Sequence, residues 1–346
     1  MQKLTLNSAA LWNAQQTFFE YMADTGRSHL AEQIRGHLTP IEKHDNSRLP
    51  ISCMKQDVDL IRSVAKEPHL SVHMVARNKA SQIPLFTALR SWQSRFGLAR
   101  TEMPIPLCLF IQLCARFWGL NNQLVQFKVV RTKGCIEVSL EPSDPSCFNS
   151  TIAEGMATGM VMAVKDYLQV LPESIAFPHD KPADYQENEY VKILGVAPKF
   201  SHHGIIICFK DEDYDFELTV PVISMLSHFN SMHTVQFPEV SIVQRTLWVM
   251  KLLLPITEPT KYVISQILNI SVSTLDRRLK NQKTSFKSIL LQLKKQLAVE
   301  YLVTFDKSAS KTSNLLGYTS SAQFFKAFKK WFGQTPNQFK ASLVTL

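Results

Sequence analysis

Apolar residues recur at helical spacing through most of the first hundred positions. Ala9–Ala23, Leu30–His37, Val58–Val64 and Leu85–Phe96 each show it, so Met1–Pro104 is expected to be mostly helical. The densest apolar run, Pro104–Cys114, is about half the length a bilayer span needs and holds two prolines. It is read as part of a buried helix over Pro106–Leu120. The period then changes. Phe127–Leu140 alternates with a break at Lys133-Gly134, which predicts a β-hairpin. Ser150–Val170, rich in Ala, Met and Val, predicts a helix whose two glycines permit close packing. A short strand running into a proline-bounded loop is expected over Ser174–Pro182, and a helix over Tyr185–Leu194. A second strand pair is expected over Val196–Phe200 and Gly204–Phe209, and a further helix over Pro221–His228. This mixture predicts a mixed α/β N-terminal domain, and an α+β class for the whole chain.

Ser231–Glu239 is polar, contains a proline and lacks periodicity, and is read as a linker. It divides the chain into residues 1–235 and 241–346. Beyond it the pattern is all-helical and carries two helix-turn-helix units. In the first, Ile264–Asn281, Val263–Leu268 is a supporting helix and Asn269 makes the turn, since Asn tolerates the left-handed conformation. Ile270 is the apolar plug, and Ser271 or Ser273 caps the next helix. Leu275 and Leu279, four apart, face inward. The second unit, Ser310–Gly333, turns at Gly317, is capped by Ser320, and buries Phe324, Phe328 and Trp331. Ser285–Thr304 joins them as one helix of about five turns with an apolar stripe of Ile289, Leu290, Leu293, Leu297 and Leu302. A helix of that length can hold two reading units about one DNA turn, about 34 Å, apart.

Charge sharpens this picture. The whole chain has 38 Lys and Arg, 29 Asp and Glu, and a net charge of +9. Ser241–Leu346 alone holds 16 basic and 4 acidic residues, so the excess lies in the last third. Concentrated on the helix-turn-helix pair, it is the footprint of a polyanion, here double-stranded DNA. On the first second-position helix Ser273, Asp276 and Arg277 are candidates for base edges, Arg277 through the bidentate guanine contact. Arg278 and Lys280 are candidates for phosphate. On the second, Ser321, Gln323 and Lys326 are the base candidates, and Lys329 and Lys330 the phosphate candidates.

The same residues carry a family resemblance. STLDRRL (Ser273–Leu279), LAVEYL (Leu297–Leu302), LLGY (Leu315–Tyr318) and FFKAFKKWFGQTPNQFK (Phe324–Lys340) make Thr257–Ala341 resemble the DNA-binding domain of AraC/XylS-family transcription regulators. The resemblance implies asymmetric DNA sites near promoters, mostly activation, and RNA polymerase as a partner. Two departures stand out. The family commonly has Gln or His at the position of Asp276, whose carboxylate accepts hydrogen bonds and repels phosphate. Its Ile-Ala-x-Ile-Ala pattern is replaced by Ala309-Ser310-Lys311-Thr312-Ser313, which implies looser packing of that helix. Pro172–Tyr190, Val196–Phe209 and Leu218–Val222 make the N-terminal part resemble the arabinose-binding-like domain of ornithine- and virulence-type regulators. That implies a regulatory role, through a small-molecule effector or as a homodimer.

Other chemistry is thin. The six cysteines are scattered without a CxxC pair, and Met1–Thr25 lacks the apolar core of a secretory signal; a reducing cytoplasm, no membrane association, no structural zinc and no cofactor are expected. His179 and His202-His203 are read as loop histidines, and adjacent histidines on a strand would face opposite ways. Asp211, Glu212, Asp213 and Asp215 are read as an exposed acidic tip, and Met156, Met160 and Met162 as core or pocket lining. A DNA-repair enzyme with the same kind of DNA-binding domain is the alternative of another class. It would need a four-cysteine zinc cluster and a Pro-Cys-His nucleophile, and neither is in the sequence. A regulator whose N-terminal domain binds only another protein remains open.

Overall fold

The computed structural model describes residues 4–42, 47–67, 69–77, 84–98, 105–132, 134–211, 218–254 and 256–344. The chain is α+β and forms two compact units. The first comprises residues 1–129 and 137–212, the second residues 130–136 and 213–346.

The first unit opens with β1 (Thr5–Asn7), α1 (Ser8–Asp24), α2 (Ser28–Arg35) and β2 (Arg48–Pro50). Strands β1 and β2 pair antiparallel, Leu6 opposite Leu49. Helices α3 (Ser52–Ala65), α4 (Leu70–Arg77), α5 (Pro84–Arg95) and α6 (Leu107–Phe117) follow. The expected apolar helix α6 is buried along almost its whole length, which is why it shows no polar face. Next come β3 (Val125–Thr132), β4 (Cys135–Pro142), α7 (Ser150–Leu168), β5 (Ser174–Ala176), α8 (Glu187–Leu194) and β6 (Ile205–Lys210). The four long-range strands form one sheet in the order β3-β4-β6-β5. Helix α7 is central and packs on α3, α4, α6, α8 and β6. Its glycines do admit close approach: a Cβ at Gly155 would lie 3.6 Å from Val75, and one at Gly159 3.5 Å from Trp118.

One expected strand is absent. Val196–Phe200 makes only an isolated parallel bridge, Lys199 to Ala176. Pro198 removes a donor from that segment, and Ser201 turns the chain at φ 55°. His202 and His203 consequently lie in a turn rather than on a strand, with ring centroids 4.0 Å apart instead of on opposite faces. Asp211 is buried, and Glu212, Asp213 and Asp215 lie outside the described residues. His179 is not a free loop side chain either; its Nε2 lies 3.3 Å from Glu154 Oε1.

Glu154 is the most unusual buried group of this unit. Tyr190 donates to Oε1 at 3.0 Å and Ser71 to Oε2 at 3.3 Å. Burial pushes its carboxyl up to about 7, with the two hydrogen bonds acting in the opposite direction. Beside it His73 Nε2 sits 3.2 Å from Glu189 Oε2, and burial holds the His73 pKa down.

The second unit contains α9 (Val220–Gln236), α10 (Ile242–Leu253), α11 (Lys261–Ile267), α12 (Val272–Asn281), α13 (Phe286–Val299), α14 (Ala309–Leu315), α15 (Ser321–Phe332) and α16 (Pro336–Val344). The expected linker differs from expectation: Ser231–Gln236 complete α9, which packs on α11. The polar residues are accommodated because Ser231 and Thr234 donate back to the carbonyls of Ser227 and Asn230. Phe237, before Pro238, ends the helix. The joining helix also has a feature that periodicity does not encode. After Val299 it widens into a π turn over Glu300–Thr304, with Phe305 N–H donating to the Glu300 carbonyl at 3.2 Å. Lys251 on α10 fixes this turn through an ion pair of 2.8 Å to Glu300 Oε2, on a largely buried pair of side chains.

Candidate nucleic-acid interface

Both helix-turn-helix units are built by the same local chemistry. Each supporting helix is seven residues long, α11 capped by the Thr260 hydroxyl and α14 by the Ser308 hydroxyl. At the first turn Asn269 has φ 54°, donates to the Gln266 carbonyl at 3.0 Å, and is followed by Ile270 donating to Ser265. At the second, Gly317 has φ 74°, donates to Asn314 at 3.0 Å, and is followed by Tyr318 donating to Ser313. A left-handed residue is required at both places, and Asn and Gly are the two residue types that supply it most cheaply. Helix α12 then starts at Ser271, not Ser273: the Ser271 hydroxyl accepts from Thr274 N–H at 3.1 Å. Helix α15 starts at Ser320, whose hydroxyl accepts from Gln323 N–H at 3.3 Å.

Leu275 and Leu279 are fully buried beneath α12, as the spacing requires. Beneath α15, Phe324 and Phe328 are buried, and Phe328 stacks with Phe332 at 4.6 Å and Phe339 at 5.5 Å. Trp331 is only half-buried. The opposite faces are open. Ser273, Asp276, Arg277, Arg278 and Lys280 are exposed on α12; Gln323, Lys326, Lys329 and Lys330 are exposed on α15, and Ser321 is half-exposed. Among the described residues no ion pair engages Arg277, Lys280, Lys326, Lys329 or Lys330. Their donors face solvent.

Three of the polar candidates are engaged internally. Both carboxylate oxygens of Asp276 lie 2.8 Å from Lys261 Nζ at the start of α11. Gln323 Oε1 accepts from the Thr319 hydroxyl at 2.9 Å, and the Ser321 hydroxyl donates to Ser310 at 3.3 Å. Lys261 was not singled out by the sequence. It stands outside the second-position helix and meets Asp276 only through the fold. The pair is exposed, so it contributes little stability, but it neutralises the carboxylate that would otherwise repel phosphate.

The joining helix holds the two units together. Ile289, Leu293, Leu297 and Leu302 are buried along it, and Leu290 partly so. Lys294 lies 5.3 Å above the Tyr318 ring, tying the helix to the second turn. On α14, Ala309, Thr312 and Ser313 face inward and are buried. The Thr312 and Ser313 hydroxyls have no partner there. The helix therefore forms despite its polar composition, at the cost of two orphaned oxygens. No group of three or more His, Cys, Asp or Glu among the described residues is placed to hold a metal ion. No described helix is long and apolar enough to cross a membrane.

Two basic, exposed second-position helices on one helical frame define a DNA-reading domain. The comparisons agree: residues 264–342 match the family described as a helix-turn-helix domain. The transcriptional activator CfaD of Escherichia coli is 35% identical over 77 residues, 22% of this chain and 29% of that protein. The dual transcriptional regulator Rns of Escherichia coli matches with the same identity and coverage. The crystal structure of the transcriptional regulator CdpR from Pseudomonas aeruginosa aligns with 94% of this chain and 97% of its own, at 15% identity and a TM-score of 0.42, too low to argue from. The C-terminal region is an AraC-type helix-turn-helix domain. The match spans under a third of the length of those regulators and leaves the first unit without a counterpart among them.

Proposed function

We propose that this protein is a sequence-specific DNA-binding transcription regulator, an activator acting with RNA polymerase, rather than an enzyme. The observation that carries this reading is the pair of like-built turns, each presenting an exposed basic helix from one continuous frame. In this reading α12 and α15 enter successive major grooves on one face of the duplex. Ser273, Asp276, Arg277, Ser321, Gln323 and Lys326 face base edges, with Arg277 bidentate on guanine. Arg278, Lys280, Lys329 and Lys330 meet phosphates and set the register. Asp276 reads a base only by giving up Lys261; while paired, it holds that lysine beside the groove. The first unit is the regulatory domain, of the arabinose-binding-like type, working through a small effector or as a homodimer. The names of the relatives, all transcription regulators, support the same assignment for the last third.

The test is mapping of bound DNA in cells, with transcript changes on deletion, followed by titration of the full chain against a bound fragment. Four phosphate contacts predict that log K falls with log salt by about 3.6, at about 0.9 per contact. Binding without sequence preference, or with a flat salt response, overturns the reading.

A further inference from the structure

The first unit encloses a cavity of about 150 Å³ between α1, α3, α4 and α7. Leu11, Ile61, Leu70 and Ile152 give it an apolar wall, and Gly155, Gly159 and Met156 of α7 border it. A cavity of about that size holds a single benzene-sized ring in another, engineered protein. The wall is not purely hydrocarbon. Trp118 and Asn121 both line it, are 4% and 1% exposed, and each carries a buried donor without a protein partner, Trp118 Nε1 and Asn121 Nδ2. The orientation of the Asn121 amide is settled by its other end, because Oδ1 accepts from Leu85 N–H at 3.0 Å. Buried donors are costly to leave unmade, so two on one apolar wall point to an acceptor that arrives from outside the chain.

The charges of the wall narrow the class. No Lys, Arg or His lines the cavity, so nothing compensates an anion. The one carboxylate, Asp57, is already satisfied: Oδ1 accepts from the Thr39 backbone and hydroxyl, and Oδ2 from Gln15 Nε2 at 2.7 Å. It therefore does not call for a cation, while it disfavours a second negative charge. We propose that this cavity is a binding site for a neutral, mainly apolar small molecule of about one-ring size that carries a carbonyl oxygen, accepted by Trp118 and Asn121. This rests on the reading of the first unit as a regulatory domain and gives its effector a chemical class.

The experiment uses the full chain and three probes of similar size. Acetophenone has the ring and the carbonyl, ethylbenzene lacks the oxygen, and benzoate adds a charge. Calorimetric titration is expected to rank acetophenone above ethylbenzene, with benzoate not bound. Trp118→Phe keeps the ring and removes the donor, and should weaken acetophenone about three- to tenfold toward ethylbenzene. Ala14→Leu, which projects from α1 into the cavity, should abolish binding of both while circular dichroism and specific DNA affinity stay at wild-type values. A full chain that binds its DNA specifically but takes none of the probes, or prefers benzoate, overturns the cavity assignment and leaves the DNA reading standing. Acetophenone binding that leaves DNA affinity and transcription unchanged supports the site and overturns its regulatory role. Loss of specific DNA binding in the unmodified chain overturns the functional reading instead.

Discussion

The sharpest stability prediction concerns Thr312 and Ser313. Both are fully buried on the inward face of α14, and neither hydroxyl has a partner. A buried polar group without a hydrogen bond costs about 1–3 kcal/mol. Thr312→Val removes that oxygen while preserving shape, and Thr and Val differ little in helix propensity. The expected gain is therefore about 1–3 kcal/mol. Ser313→Ala should add a similar amount and better helix propensity, although adjacent changes need not be additive. A gain of 1 kcal/mol raises the melting temperature of a domain of this size by a few degrees. Differential scanning calorimetry of the full chain, following the transition that contains the second unit, measures it. Thr312→Ile restores the family pattern but adds a methylene where no space is exposed, and overpacking costs about 1–3 kcal/mol. It should melt below Thr312→Val. A valine variant that melts at or below wild type would refute the argument. It would mean that the hydroxyl is satisfied in solution, for example by the carbonyl one turn back.

Further perturbations test other parts of the structure. Arg277→Ala should cost about 1–3 kcal/mol of specific DNA affinity and relax preference at one base pair, as read by titration against single-base variants of the site; full retention of both would misplace α12. A fragment starting at residue 218 should melt above one starting at Ser241, because the latter loses the buried Val222, Met225, Leu226 and Phe229 of α9, each worth about 1.5–3 kcal/mol; equal melting would make α9 dispensable. Glu154, with a folded pKa near 7 against an ordinary 4.5, binds more protons folded than unfolded between those values. Its contribution to stability therefore declines as pH rises from about 4.5 to 7. Glu154→Gln should flatten that decline relative to wild type in urea unfolding at pH 5 and pH 7.5, and parallel curves for the two proteins would show that the carboxyl titrates normally.

Much of this was legible in the sequence because the signals were local. Turn residues at Asn269 and Gly317, capping hydroxyls, the Leu275–Leu279 and Phe324–Phe328 spacings and the basic outer faces all lie within a few residues of one another. The hairpin over β3 and β4 and the helix α7 were equally plain from their periods. Features that depend on distant residues were not. Strands β1 and β2 are three residues each, too short for alternation to register. The Lys261–Asp276 pair joins two helices across a turn, and the cavity is assembled from α1, α3, α4 and α7, none of which marks it alone. Val196–Phe200 misled because apolar alternation outweighed Pro198. Ser231–Gln236 misled because side-chain hydroxyls that bond back to the backbone make a polar stretch helical.

The π turn at Glu300–Thr304 makes the joining helix a phasing device as well as a spacer. Each residue of an α-helix advances about 100° around its axis. Removing one residue from this wide turn would therefore swing α15 about 100° around the axis relative to α12, away from the duplex face that α12 reads. A single-residue change of length here would be felt as a loss of rotational alignment, even though the distance between the two reading heads changed by only about 1.5 Å. The same geometry dictates what the target can tolerate. Half-sites moved apart by a few base pairs should lose binding as they rotate out of phase, and recover part of it only when a whole turn has been inserted and the chain can still reach.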